Sequence, residues 1–376
     1  MGNKNRGQNP STNTIMRLVA ASGGRCQFEG CNCNLFRDEL TWLEFNKSNV
    51  AHIVGASPNG PRGTEASHNT SNKLENLMLL CMTHHKEIDD FPEKFTVEIL
   101  TEMKRLQEQR VQELLDGMNY PHSEIVVLES PIKGKHDAHV DNKQIVEALS
   151  SRQKNPASIY PVLLRINGHG SYSSSTYWQI LSDNLKMEVE GKLKSVFQYN
   201  PEMMLAVFPI APIPLIAKLG ELLGDKREID IFQKTREPDT WCWQKEVSTN
   251  TFVTDQIQND KGESDKIAII LSLTAKVSID RVLSVFNAGK IYHIYAENNC
   301  VDCIASLEDL RLFWQEYQSV CNQITNTDHC ESAAVFPAVP VAAAFEIGRR
   351  HMSGVHPDLH IYDDDKGFFE ALIIGG

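Results

Sequence analysis

Four ligand-type residues stand in two close pairs, Cys26-x4-Cys31 and Cys81-x2-His84, about fifty residues apart. Thiolates and an imidazole at that spacing form the donor set of a tetrahedral structural zinc site. Cys33 competes with Cys31 for its place. The segment between the pairs is short of continuous apolar runs, so a metal that couples binding to folding suits it. Within the same stretch lie Asn49-Val50-Ala51-His52-Ile53-Val54 and Asn76-Leu77-Met78-Leu79-Leu80, and His85 follows His84 directly. A neutral imidazole with a pKa of about 6.5 can take a proton from water near neutral pH. His52 is therefore a candidate general base.

These residues need elements to hold them. A short apolar segment, Ile15 to Ala20, opens the unit. A long helix from Thr96 to Leu115 closes it, with Val97, Leu100, Met103, Leu106, Val111 and Leu114 at helical spacing among charges. Gly117 and Pro121 stop that helix, which places a first domain at residues 1–116. Residues 117–157 read as a linker or docking segment with one short helix near Ile145 to Leu149. Beyond Pro156, β-type runs alternate with helical stretches: Val162 to Ile166, Leu205 to Phe208, Ile267 to Leu273, Ile291 to Tyr295 and Ala334 to Phe336. That alternation predicts an α/β domain over 158–376.

The α/β part contains a repeat. Ala206-Val207-Phe208-Pro209, with Pro212 and Gly220, recurs 128 residues later as Ala334-Val335-Phe336-Pro337, with Pro340 and Gly348. Each copy runs into a strand, Ile229 to Phe232 and Leu359 to Tyr362. Two related halves, about 158–260 and 261–376, would share a crevice at the C-terminal ends of their strands, where open α/β sheets place ligands.

At 376 residues the chain is long enough for two or three folded units. Its net charge is −12, yet the residues through Asp116 hold 13 basic against 15 acidic side chains, so the acidity belongs to the second part. No apolar run approaches the roughly 20 residues of a membrane span, and Met1 to Thr14 lacks the apolar core of a secretory signal. The expectation is a cytoplasmic protein, away from membranes, with reduced cysteines.

His52, Asn76 and His85, set around Asn-Leu-x-x-Leu-Cys-x-x-His-His, resemble the motif of HNH endonucleases over about Arg25 to Asp90. The resemblance implies an α+β domain of the ββα-metal type with a zinc knuckle. It makes His52 the base that activates water for phosphodiester hydrolysis and His85 a ligand of a catalytic Mg²⁺ or similar divalent cation, while Asn76 orients His52 or supports the metal. Many HNH enzymes carry an Asp directly before the base, where this chain has Ala51. Arg62, in the Gly/Pro-rich loop after the base, can meet a DNA phosphate or stand as a solvated charge.

The C-terminal part, roughly from Ser158, resembles the SAVED domain, in which two fused CARF-like (Rossmann-like) α/β halves bind a cyclic oligonucleotide. The duplicated Phe-Pro-x-x-Pro elements, Trp241-Cys242-Trp243, the run Leu271 to Lys276 and the stretch from Gly348-Arg349-Arg350 to Ile361-Tyr362-Asp363 carry it. Trp241 and Trp243 can stack on bases or pack in a core. Lys276 and Arg349 can meet phosphate or remain solvated, and Pro337 and Pro340 of the second repeat join them as expected cyclic-nucleotide-binding residues. The Gly/Ser-rich run Gly168 to Ser175 reads as a strand-to-helix turn. Cys300-x2-Cys303 lacks a partner pair and reads as two ordinary thiols.

An HNH domain followed by a SAVED domain resembles the effector nucleases of bacterial CBASS anti-phage systems. That implies cleavage of double-stranded DNA, activation by a cyclic di- or trinucleotide from a partner synthase, and a homo-oligomer on activation. Two other readings compete. A restriction-type HNH enzyme would read DNA with its C-terminal part, which the acidity there opposes. A non-enzymatic zinc finger would leave His52, Asn76 and His85 without a purpose.

Overall fold

In the computed structural model, residues 7–133, 140–244 and 250–376 are described, and the first six of the polar N-terminal stretch lie outside them. The chain forms two compact units, Met1–Tyr120 and Pro121–Gly376.

The first unit begins with helix α1 (Thr12–Ala21), capped by Ser11, whose side chain accepts from the Thr14 amide. Strand β1 (Ser48–His52), the single turn α2 (Ser67–Thr70), strand β2 (Leu77–Cys81), helix α3 (Met82–Asp90) and helix α4 (Val97–Asp116) follow. β1 and β2 pair antiparallel, Ala51 opposite Met78 and His52 opposite Leu77. Leu77 to Leu80, Ala51 and Ile53 bury against Leu18, Ile88 and Leu100, giving a small core on which α3 sits. α4 begins where its periodicity predicts, with Thr96 as N-cap accepting from the Ile99 amide.

The second unit holds two sheets. The first contains β3 (His122–Glu129), β4 (Asn155–Pro156), β5 (Val162–Arg165), β6 (Met204–Ile210) and β7 (Ile229–Ile231), with helices α5 (Asn142–Ser151), α6 (Ser175–Tyr199) and α7 (Ile213–Leu223) between strands. β3 lies at its centre, parallel to β4 and β5 on one side and to β6 on the other; β7 lies beyond β6. A short hairpin follows, β8 (Thr235–Arg236) with β9 (Asp239–Thr240). The second sheet runs β10 (Phe252–Gln258), β12 (Ala288–Ala296), β11 (Glu263–Ser272), β13 (Ser332–Ala338), β14 (Asp358–Asp364), β15 (Phe368–Ile374). Its helices are α8 (Ile279–Leu283), α9 (Leu307–Asn326) and α10 (Val341–Arg349).

The segment read as a linker belongs to this unit. Its β3 supplies the central strand and α5 the short helix foreseen near Ile145. Every residue from Ser123 to Glu129 is buried, because helices cover both faces of the sheet. With only four apolar residues, Ile125 to Leu128, between polar neighbours, the strand lacks the alternation that marks a half-exposed one. The first half thus starts at β3 instead of residue 158.

With β3 included, the halves share one connectivity. β3, α5, β5, α6, β6, α7, β7 corresponds to β11, α8, β12, α9, β13, α10, β14. The repeated segments occupy the same places in both: β6 and β13 carry the Ala-Val-Phe-Pro copies, while Pro212 and Pro340 precede α7 and α10. The repeated glycines join the halves. A Cβ at Gly220 would meet the Phe345 carbonyl and one at Gly348 the Ala217 carbonyl, which are themselves 128 residues apart. Helices α7 and α10 therefore cross backbone to backbone about a local two-fold, which only a residue without a side chain permits at the crossing.

Candidate functional site

In the first unit, the Cys26 amide donates to the Cys33 carbonyl and the Cys31 amide to the Phe28 carbonyl, forming a tight knuckle. Asn32 turns through a positive φ of 49° and sets Cys31 and Cys33 on either side of the bend. Cys81 arrives from the end of β2. The four sulfurs of Cys26, Cys31, Cys33 and Cys81 lie within 4.8 Å of one another. The set thus differs from the sequence expectation of Cys26, Cys31, Cys81 and His84: Cys33 joins Cys31 instead of competing with it. His84 stands alongside, its Nδ1 3.2 Å from Cys81 Sγ and 3.7 Å from Cys26 Sγ, its ring stacked on Phe28 at 4.1 Å.

Protonation in this cluster is uneven. Burial pushes Cys26 well up, and burial with the neighbouring Cys31 pushes Cys33 up to about 12. At Cys31 burial also acts upward, but hydrogen bonds from the Cys33 backbone and from the surrounding thiols outweigh it and hold the group below the usual thiol range. Four converging thiols of this kind fit a soft divalent cation such as zinc, which favours deprotonated sulfur.

His52 closes β1, half-buried, with Nε2 3.0 Å from the Ser71 carbonyl. A carbonyl only accepts, so Nε2 carries hydrogen and a neutral ring has its lone pair on Nδ1. Asn76 is buried beside it. Its Oδ1 accepts from the Val54 amide at 2.7 Å, its Nδ2 donates to the Val54 carbonyl at 2.9 Å, and its own carbonyl accepts from Ile53 at 2.9 Å. The two residues after His52 are clamped in place. Both polar groups of the Asn76 side chain are thus engaged by the Val54 backbone.

Arg62 is not available to DNA. Its side chain is 4% exposed, and it donates to the carbonyls of Ile53, His52 and Ile88 and to Asp89 Oδ1. Nη2 alone reaches both the His52 carbonyl at 3.2 Å and Asp89 Oδ1 at 3.1 Å, tying the end of β1 to α3. A loop arginine gives no sign in sequence that carbonyls converge on it. Asp89, which the motif does not include, places Oδ2 3.6 Å from His85 Nε2. Its only sequence signal is the i,i+4 spacing from His85 on a helix. Both side chains are about a third or more exposed. Ala51, in the position of the missing Asp, is wholly buried.

In the second unit a cavity of about 420 Å³ opens where β7 and β12 end and β10 begins. Gln233, just past β7, and the loop Asn298 to Ala305, just past β12, line it together with Trp243. Gln233 Nε2 donates to the Ile304 carbonyl at 3.1 Å, linking the two halves. Cys300 and Cys303 both line it, and burial raises the Cys303 thiol to about 12.

Of the ligand residues expected from sequence, Trp243 lines this cavity. Trp241 does not: it is a core residue, edge-on to Phe208 at 5.4 Å. Lys276 is exposed in the loop after β11 and is not among the lining residues. Pro337 is paired with Leu271 inside the sheet and Pro340 caps α10, so both build the strand-to-helix turn. Arg349 lies in the last turn of α10, paired with Glu346 at 2.9 Å and donating to the Arg227 carbonyl ahead of β7. α10 leaves the C-terminal strand ends and runs back, so Arg349 sits at the opposite edge of the sheets.

Residues 188–374 match the family model of SAVED, the "SMODS-associated and fused to various effectors sensor domain". Among solved structures, the chain is similar to the Acinetobacter baumannii Cap4 SAVED/CARF-domain containing receptor with the cyclic trinucleotide 3'3'3'-cAAA. The two share 13% identity at a TM-score of 0.43, over 77% of this chain and 61% of that one. The Moraxella osloensis Cap4 receptor aligns at 12% identity and a TM-score of 0.40, over 77% and 60%. This chain therefore spans less than two thirds of the length of these receptors. No curated protein matches it.

Proposed function

We propose that this chain, whose residues 188–374 match the SAVED sensor-domain model, is a metal-dependent DNA endonuclease switched on by a cyclic oligonucleotide. The observation that carries the nuclease reading is the Arg62 bridge, which holds the carbonyl of His52 and the carboxylate of Asp89 on one guanidinium nitrogen. A base on a strand end and a His–carboxylate pair on the following helix are thereby fixed against each other. His52 accepts the proton of the attacking water, and the Ser71 carbonyl at Nε2 steadies the imidazolium that results. Asn76 keeps the strand end from turning away.

His85 and Asp89 would hold a hard divalent cation, and the imidazole and carboxylate oxygen on one helical face suit it. When bound, such an ion neutralises charge on the scissile phosphate and its leaving oxygen. Arg62 balances part of the Asp89 charge, leaving Oδ2 toward His85. The four cysteines would hold zinc in a structural role.

The sensor reading rests on the family and on the strand-end cavity, the position where open α/β sheets take ligands. A double-strand break needs two active sites, so assembly of copies by the ligand would supply both activation and geometry. Plasmid cleavage with Mg²⁺ tests the whole reading, using wild-type and His52→Ala protein with and without cyclic di- and trinucleotides. Cutting by wild type alone, with one ligand alone, is the expected outcome. Cutting without ligand removes the sensor, and an active His52→Ala protein removes the mechanism.

A further inference from the structure

The duplication makes the strand-end cavity informative, because the fold contains its counterpart. The cavity lies between the end of β7 in the first half and the loop after β12 in the second. Exchanging the halves gives the end of β14 and the loop after β5. That place is filled: Tyr172, from the β5 to α6 loop, donates to Asp363 Oδ2 at the end of β14 at 2.6 Å. Its ring packs against Tyr177, Trp178 and Phe369, with centroids 5.1 to 5.9 Å away. One of two equivalent clefts is plugged by an aromatic side chain hydrogen-bonded to a carboxylate. The other is open and has an aromatic side chain, Trp243, and a carboxylate, Asp302, on its wall.

The lining also disfavours one class of occupant. Glu237 and Asp302 bring two carboxylates, and among the described residues no Lys or Arg lines the cavity. Those two carboxylates repel a phosphate in a partly desolvated space. An uncharged aromatic group bearing N–H donors has the opposite fit, stacking on Trp243 and donating to Asp302. Tyr172, an aromatic ring whose O–H donates to Asp363, supplies the donor-to-carboxylate part of that fit from within the chain. The volume lies within the roughly 300–1,000 Å³ of small-molecule sites.

We propose that this cavity is a single nucleobase subsite, with Trp243 as its stacking face and Asp302 as the acceptor that selects bases carrying an exocyclic amine. The inference rests on the sensor reading and deepens it: the phosphates of the ligand lie outside the cavity, and one base per chain enters it. Asp302 sits with Val301 between Cys300 and Cys303.

Cys300 is an exposed free thiol on the cavity wall and reports occupancy without reference to cleavage. The test uses the full chain and cyclic di- and trinucleotides built from A, G or U, with binding followed calorimetrically. Alkylation of Cys300 by iodoacetamide is followed in parallel by mass spectrometry. Bound ligand should slow Cys300 alkylation at least fivefold. Trp243→Ala should weaken binding at least tenfold while Trp243→Phe retains it, which separates stacking from a folding defect. Asp302→Ala should level the preference for amine-bearing bases over uracil. Binding with Cys300 alkylated at an unchanged rate, or with Trp243→Ala neutral, overturns the base subsite and leaves the sensor standing. If no cyclic oligonucleotide binds at all, the sensor reading fails and the subsite fails with it.

Discussion

The two units are held together by different means. In the first, a small core around β1 and β2 is supplemented by polar fixtures: four convergent thiols, the Asn76 clamp on Val54, and Arg62 reaching three carbonyls. In the second, one continuous apolar cluster runs through both sheets from Val126 to Ile374, and the halves meet by direct helix crossing at Gly220 and Gly348. Polar fixtures are directional and few, so losing one is local and severe. Burial is spread over many residues, so only a change at a crowded contact is felt strongly.

That contrast is sharpened first by metal removal. Stripping a zinc ion from the cysteine cluster, or Cys81→Ser, should unfold the first unit and leave the second folded, since structural zinc supplies on the order of 10 kcal/mol in small metal-dependent folds. Calorimetry should then show the loss of one of two transitions; a concerted loss of both would break the contrast.

His52→Ala should lower cleavage by roughly 10²- to 10⁴-fold, the usual worth of a positioned base, without moving the melting temperature of either unit. Supercoiled plasmid nicking measures the rate. Asn76→Ala should do both, destabilising the first unit by about 1–3 kcal/mol because two Val54 backbone groups lose their partners, and denaturant titration reads the loss.

Within the second unit, two glycine substitutions should act in opposite directions. Gly348→Ala places a methyl group against the Ala217 carbonyl and should destabilise by about 1–3 kcal/mol. Gly191→Ala, at an exposed position of α6 with nothing near its Cβ position, should stabilise by up to about 1 kcal/mol. Thermal melts of the two variants decide it, and equal effects would deny the crossing its role.

The smallest expected effect is a pH dependence. Burial, with His351 alongside, holds His356 below the usual histidine range. The unfolded chain therefore binds this proton at a higher pH than the folded one. The stability concerned is present above about pH 6.5 and is lost as the pH falls below it. The melting temperature of the second unit should drop less steeply from pH 7 to pH 5 in His356→Leu than in wild type.

Much of this was legible in the chain. The thiol pairs, the order His52, Asn76, His85 and the 128-residue repeat depend on residue type and spacing, and α4 and the strands β5, β6, β11, β12 and β13 depend on local periodicity. β3 was not legible, because a strand buried on both faces has no period to read and its four apolar residues pass for a linker. Asp89 and Arg62 were not assigned their places either: a carboxylate one turn from a histidine and an arginine in a loop look like surface charges until backbone carbonyls close around the arginine and it meets the carboxylate.

By itself the sequence determined which chemistry each region can support and that the second region is duplicated, since these follow from side-chain identity and from positions along one chain. Tertiary structure alone decided that Cys33 completes the thiol set, that Trp241 packs while Trp243 faces a cavity, and that Tyr172 fills one of two equivalent clefts. Those outcomes turn on which residues distant in the chain meet in space. Local pattern carries no information about that, because a residue two positions along a strand or turn points to a different neighbour.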